Sequence, residues 1–176
     1  MRVVIAGAGS PLGDATAAAL RAAGHEAVEV TRAVCDLTDG AAVTALAERL
    51  GAVDGLLHLV GGWRGGQGLA GQSDEDWEWL RTRIVDTLRH TTRAFLPAIA
   101  ASPAGRIAIV SSTTLAKPTA SNANYVAAKA AAEAWLAAVG QALSGTPGSV
   151  HVERVMALVS DADRAADPGR DWSRHT

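Results

Sequence analysis

One cysteine, one tyrosine, one phenylalanine and two lysines are all that this 176-residue chain contains of those residue types. The single cysteine, Cys35, excludes an intramolecular disulfide framework and leaves no second thiolate for a cysteine zinc site, so a reducing compartment is expected and no metal site. Charge imbalance is lacking too. Sixteen basic residues stand against 18 acidic ones, a net charge of −2, which gives no electrostatic footprint for nucleic acid or an anionic membrane. No stretch approaches the ~18 uninterrupted apolar residues of a membrane span. The N-terminus Met1-Arg2-Val3-Val4-Ile5-Ala6-Gly7 turns glycine-rich too soon for a signal peptide. A cytoplasmic protein without nucleic-acid or membrane partners is therefore expected. What is present is a chain 48% hydrophobic and 19% charged, long enough to bury roughly 68–70% of its unfolded surface as one domain.

Short Val- and Ile-rich runs alternate with Ala-rich stretches along the whole chain, the pattern of a parallel sheet with helices on both faces. Strands are predicted over Arg2–Ala6, Ala27–Thr31, a brief Ala33–Cys35, Gly55–Val60, Arg106–Ser111 and Val150–Met156. Helices are predicted over Pro11–Ala23, Asp39–Leu50, Ser73–Ala100 and Asn122–Leu143. Gly24 suits a helix C-terminus, and Ser73 with Asp76 suits an N-terminal cap. The low-complexity segment Gly61–Gly68 reads as a mobile loop leaving a central strand where open α/β sheets bind ligands, or equally as a solvated connector.

The first strand runs directly into Gly7-Ala8-Gly9-Ser10-Pro11-Leu12-Gly13 and then a helix. That context suits a dinucleotide pyrophosphate: glycines allow close backbone approach, and the helix N-terminus attracts the anion. Such a turn also serves as a plain strand-to-helix connector. Further on, Tyr125 and Lys129 stand four residues apart, so on a helix their side chains share one face. An adjacent ammonium stabilises a phenolate and lowers its pKa, which proton transfer at a carbinol requires. Ser112 ends the preceding strand, where its hydroxyl can bond the reacting oxygen. The bland alternative makes Tyr125 and Lys129 surface residues and Ser112 a strand-end hydroxyl.

These residues resemble the short-chain dehydrogenase/reductase family. The likeness rests on Tyr125-Val126-Ala127-Ala128-Lys129, on Ser112 thirteen residues earlier, on the strand Gly105–Ser112 and on the glycine turn Gly7–Gly13, and it extends over nearly the whole chain. It implies an α/β fold of Rossmann type, a doubly wound parallel sheet of strand order 3-2-1-4-5-6. It also implies an oxidoreductase moving a hydride between a nicotinamide cofactor and a small carbonyl or alcohol substrate. Tyr125 becomes the general acid or base, Lys129 the holder of the nicotinamide ribose, and Ser112 the residue that orients the substrate oxygen. Gly7, Gly9, Ser10, Leu12, Gly13, Thr31, Arg32, Asp36, Leu37 and Gly61, with Tyr125 and Lys129, become the cofactor contacts. A homodimer or homotetramer is implied as well, through the two long helices.

Strand two ends in Val30-Thr31-Arg32, where an acidic residue would bind the ribose hydroxyls of NAD. Arg32 instead suits a 2′-phosphate, which favours NADP over NAD, although Glu29 points to the same side and Arg32 also suits an exposed loop charge. Asp36-Leu37-Thr38-Asp39 resembles the family's Asp-Val-x-Asp segment, with Asp36 at the adenine; Asp39 equally suits a helix cap. Only four residues separate Thr31 from Asp36, so one family helix is missing.

Other positions depart from the family. His58-Leu59-Val60-Gly61 replaces Asn-Asn-Ala-Gly, keeping only the glycine, and His58 at this strand end suits a catalytic role in principle but reads first as a satisfied, partly buried histidine. Counting without gaps from Pro97 puts Ile84 at the catalytic asparagine, and Ala157-Leu158 stands at the usual Pro-Gly. The sequence therefore predicts one dinucleotide-binding domain over residues 1–160, without the family's seventh strand, and a polar tail over 161–176. Trp63, Leu115 and Leu158 are candidates to face the substrate, and Trp77, Trp79 and Trp135 read as helix-packing residues. Two other readings keep the fold: a non-catalytic dinucleotide-binding protein, and an epimerase or dehydratase that retains its nicotinamide.

Overall fold

The computed structural model describes residues 1–159 and 161–172. Its centre is β1 (Arg2–Ala6), in which Val3, Val4, Ile5 and Ala6 are all buried. A parallel strand covered on both faces needs such an unbroken apolar run. β2 (Glu26–Val30) lies on one side of β1, and β3 (Gly55–His58), β4 (Arg106–Ser112) and β5 (Ser149–Val155) follow on the other. Every pairing is parallel. At the β5 edge the pattern changes to alternation: Val150 and Val152 are half-buried, while Ser149, His151 and Glu153 are exposed.

Helix α1 (Pro11–Ala22) starts where Ser10, in extended conformation, caps it by accepting from the Gly13 N–H at 3.1 Å. Pro11 costs nothing in the first turn, where its missing N–H has no intrahelical partner. α1 covers one face of the sheet, with Ala17 packed beside Ile5 and Ala8. On the other face, α2 (Gly40–Leu50), α4 (Thr87–Ala101) and α5 (Ala123–Ala142) bury Val43, Leu46, Leu88, Phe95, Ile99 and Leu136 against Val4, Leu56, Ile107 and Ile109. Fully burying each side chain of this size contributes about 1.5–3 kcal/mol. Helix α3 (Asp74–Leu80) runs through a π-helical turn, Arg81–Asp86, directly into α4. A short α6 (Asp161–Ala166) follows β5. Among the described residues, no helix is long and apolar enough to cross a membrane.

The sequence is corrected at several points. The sheet has five strands in the order 2-1-3-4-5, not six in the order 3-2-1-4-5-6. Ala33–Cys35 forms no strand. It is a turn whose Val34 and Cys35 N–H groups both donate to the Thr31 carbonyl, at 3.0 and 3.1 Å. A strand parallel to β2 would need a crossover of a dozen or more residues, and the two between Val30 and Ala33 do not supply it. β2 is therefore the sheet edge. The strand predicted to Val60 stops at His58, β4 extends to Ser112, and the segment read as a continuous helix 73–100 contains the π-helical turn. Part of the expected polar tail is helical, as α6.

The Gly61–Gly68 segment, expected to be mobile, is tied down. The Gly66 N–H donates to the Ser121 carbonyl at 2.7 Å, and the Gln72 amide donates to the Gly66 carbonyl at 3.0 Å while its oxygen accepts from the Asn124 N–H at 3.1 Å. The loop is thereby fastened to the start of α5, one residue before Tyr125.

Candidate active site

The C-terminal ends of the strands open into one cleft of about 1780 Å³. Its floor begins at the glycine turn. Gly7 has φ +95°, and a Cβ there would stand 3.0 Å from the Val60 nitrogen, so only glycine serves both the turn and the close approach of the segment that leaves β3. Gly13 is required for a different reason. A Cβ on it would lie 2.6 Å from the Ala8 Cα and the Gly7 oxygen, so Gly13 lets α1 seat on β1. Gly7, Gly9, Ser10 and Leu12 line the cleft, whereas Gly13 lies beneath it. The Ser10 hydroxyl donates to the Gly7 carbonyl at 2.9 Å and so fixes the turn from within.

Thr31, Arg32, Asp36 and Leu37 line the same cleft at the end of β2. Thr31 approaches Gly9, whose added Cβ would sit 3.6 Å from the threonine methyl. Arg32 is exposed and, among the described residues, makes no ion pair. Glu29, which tempered the reading of Arg32, is paired with Arg21 and is not part of the cleft. Asp36 accepts from the Thr38 N–H at 3.0 Å and the Thr38 hydroxyl at 2.8 Å, which hold its carboxyl below the usual range. Asp39 caps α2 by accepting from the Ala41 and Ala42 N–H groups, so of its two readings the structure has the cap.

Ser112, Tyr125 and Lys129 meet at the far end, where β4 and α5 converge. Lys129 is buried. Its Nζ donates to the Val110 carbonyl at 2.7 Å, lies 5.9 Å from the centre of the Tyr125 ring and faces Gly61, where a Cβ would be 3.8 Å away. Burial pulls the Lys129 pKa down from 10.5 to about 8, with Glu133 opposing. Burial also pushes the Tyr125 phenol above its ordinary 10, with the Ser112 hydroxyl acting the other way. Desolvation of the phenolate leads that balance, and the Ser112 hydroxyl, not the ammonium, is what opposes it. Ser112 is buried, and its hydroxyl pairs with the Thr114 hydroxyl at 2.8 Å.

His58 is the satisfied histidine that the sequence suggests. Its Nε2 and Nδ1 each stand 3.1 Å from a hydroxyl, of Thr87 and Thr91, and burial brings its pKa down to about 3, with Lys129 adding to the effect. It stays neutral at any ordinary pH. Ile84 is buried in the core and does not reach the cleft; Thr82, Arg83 and Thr87 are what this stretch of helix presents there. Trp63 and Leu158 line the cleft, and Leu115 does not. Trp135 packs between helices, its indole N–H donating to the Thr92 hydroxyl at 2.9 Å, and Trp77 packs on the core. Trp79 does more than the expected packing. It lines the cleft with the guanidiniums of Arg64 and Arg83 at 4.5 and 4.4 Å from its ring centre. The sequence signal for that group was the spacing Trp79–Arg83, one helical turn apart.

Residues 1–167 match the family model of the short chain dehydrogenases. Uncharacterized oxidoreductases from two strains of Mycobacterium tuberculosis are 37% identical over 143 residues, a match that covers 72% of this chain and 57% of theirs. The match thus spans little more than half the length of those relatives. Among solved structures, ElxO with NADP bound superposes with a TM-score of 0.86 at 13% identity, over 95% of this chain and 77% of its own. The NADH-dependent reductase A1-R′, complexed with NAD, gives 0.74 at 17% identity, over 90% and 79%. At such identities these structures speak for the fold. A strand-ended glycine turn, a five-stranded parallel sheet and a Tyr-x-x-x-Lys pair at the cleft, its lysine buried, agree with the match over 167 residues, and the chain belongs to the short-chain dehydrogenase family.

Proposed function

We propose that this protein is an NADP(H)-dependent oxidoreductase that interconverts a small carbonyl compound and its alcohol, with Ser112, Tyr125 and Lys129 as the catalytic residues. The observation that carries the reading is the buried Lys129, whose Nζ lines the cleft while making one hydrogen bond, to the Val110 carbonyl. An ammonium has three donors, so donors remain for the ribose hydroxyls of a dinucleotide laid from Gly9 to Gly61.

The cleft fits such a group in other respects. Gly7, Gly9 and Leu12 would hold the pyrophosphate at the start of α1, where the helix dipole favours an anion. Thr31, Arg32, Asp36 and Leu37 would hold the adenosine end. The exposed Arg32 guanidinium, which feels the Asp36 carboxylate but makes no ion pair among the described residues, supports a 2′-phosphate and hence NADP over NAD. When bound, the nicotinamide supplies or accepts the hydride. Tyr125, kept protonated by burial, would donate its proton to the carbonyl oxygen as negative charge develops there. Ser112 would turn its hydroxyl from Thr114 to the same oxygen, and Lys129 would stabilise the phenolate that remains.

The test is reduction of a panel of ketones and aldehydes with NADPH by the wild-type protein and by Tyr125→Phe. The expected result is turnover that falls at least a hundredfold in the variant while NADPH binding is kept. Undiminished kcat in Tyr125→Phe on a substrate that the wild type reduces would remove Tyr125 from the mechanism.

A further inference from the structure

We infer that Arg83 is a specificity-determining residue and that the substrate carries a carboxylate, which seats on its guanidinium beside Trp79. The inference rests on the proposed carbonyl–alcohol chemistry and adds the charge of the molecule that undergoes it.

Most arginines near the cleft are occupied. Arg64 pairs with Asp76 at 2.9 Å and with Glu75 at 3.6 Å. Arg81 pairs with Glu78 at 2.7 Å and with Asp86, and Arg89 reaches Asp86 at 3.5 Å. Glu75, Asp76, Glu78 and Asp86 are thus engaged by other arginines. Arg83, in the middle of them, lines the cleft; only its backbone carbonyl is engaged, by the Thr87 hydroxyl at 2.6 Å, and its guanidinium forms no hydrogen bond or ion pair with any described residue. Its one contact of this kind is the face of Trp79, with the guanidinium carbon 4.4 Å from the ring centre. A guanidinium stacked on an indole keeps its N–H fork in its own plane, free to take both oxygens of a carboxylate. The stacking also orients the fork before any ligand arrives, which lowers the ordering cost of binding.

A chain of contacts places this fork on the reacting side of the cleft. Gly61 faces the Lys129 Nζ, and its neighbour Gly62 lies so close to the tip of Trp79 that an added Cβ would stand 2.4 Å from the indole. Arg83 stacks on that indole. Arg32, by contrast, stands beside Thr31 and Gly9, at the opposite end. Among the described residues, two guanidiniums without an ion pair therefore mark the two ends of one cleft, one beside the glycine turn and one beside Lys129. The anion at the second end is assigned to the substrate.

The same fork could instead bind a phosphate of the cofactor, and the experiment separates the two sources. Arg83→Gln and Arg83→Lys are compared with wild type using 2-oxo-4-phenylbutanoate and its uncharged ethyl ester. Binding of each to the NADPH-loaded protein is followed by calorimetry, reduction of each is followed at the nicotinamide absorbance, and NADPH affinity is measured separately. The expected result is a wild-type preference for the acid of tenfold or more in binding, lost in Arg83→Gln, partly kept in Arg83→Lys, with NADPH affinity within twofold throughout. Equal losses for acid and ester, no acid preference in the wild type, or a loss confined to NADPH affinity would each overturn the inference. If neither compound is reduced by the wild type while the acid preference and its loss in Arg83→Gln hold in calorimetry, the site stands and the proposed reaction falls.

Discussion

Replacing Lys129 by methionine separates what this residue does for chemistry from what it costs the fold. Burial lowers the Lys129 pKa from 10.5 to about 8. Between those values the unfolded chain binds a proton that the folded protein does not, so stability rises as the pH climbs through that window. Integrated from pH 7 to pH 9.5, the shift corresponds to about 2 kcal/mol of added stability in the wild type. Methionine has nearly the same length and no charge, so Lys129→Met abolishes that climb. The variant should be the more stable protein at pH 7, with an advantage that shrinks by about 2 kcal/mol at pH 9.5.

Urea denaturation followed by tryptophan fluorescence measures this directly, because a difference of that size moves the midpoint by about 1 M. Cys35, whose thiol burial pushes up from its ordinary 9, works in the opposite sense at the alkaline end of the window. It does so in both proteins and cancels in the comparison. Tyr125 is raised from its ordinary 10, above the pH 9.5 end of the comparison. A stability difference between the two proteins that is the same at pH 7 and 9.5 would refute the reasoning, since a lysine that kept its ordinary pKa when folded would give that result.

Two further outcomes follow from local geometry. Gly13→Ala drives a methyl to 2.6 Å from backbone atoms of Gly7 and Ala8, and backbone cannot swing aside as a side chain can. A loss of about 2 kcal/mol is expected, seen as a fall of about 4–8 °C in Tm; an unchanged Tm would show that α1 is not held this closely to β1. Arg32→Gln should weaken NADPH binding tenfold or more, ~1.4 kcal/mol, and leave NADH binding unchanged, as read by nicotinamide fluorescence. Equal losses for the two cofactors would place Arg32 away from the 2′-phosphate.

Strand β1 and helix α1 were legible almost to the residue, because a strand buried on both faces writes an unbroken apolar run and Ser10-Pro11 marks where a helix can begin. The Ser112, Tyr125 and Lys129 convergence was legible for a related reason: a strand end and a helix start fix the separation whatever lies between. Ala33–Cys35 misled because three apolar residues look the same in a strand and in a turn, and the short connection that excludes a strand says nothing of its own shape. The pairing of Glu29 with Arg21 joins a strand and a helix eight residues apart, and no periodicity reports it. The tethered glycine loop depends on a backbone bond from Gly66 to Ser121 and on the Gln72 side chain, two of whose partners lie 49 and 52 residues away. Trp79 and Arg83 escaped because the face a helix turns to a cleft is set by what packs on its other side, here Leu80 and Ile84 in the core.

The π-helical turn Arg81–Asp86 has one consequence for how the chain is numbered against others. A π turn holds one residue more than an α-helix covering the same arc, and one residue in an α-helix is about 100° of rotation. Counted back from Pro97, everything before the turn is therefore out of phase by one position with an uninterrupted helix. The thirteen-residue interval that lands on Ile84 along the sequence falls, in space, closer to Arg83. Ile84 is buried and Arg83 lines the cleft, in keeping with that offset. Removing a single residue from the turn would restore the α-helical phase and rotate α3 by about 100° relative to α4. Trp79 and its stacked arginine would then leave the cleft together, so a one-residue change in helix length decides which charge this end of the site displays.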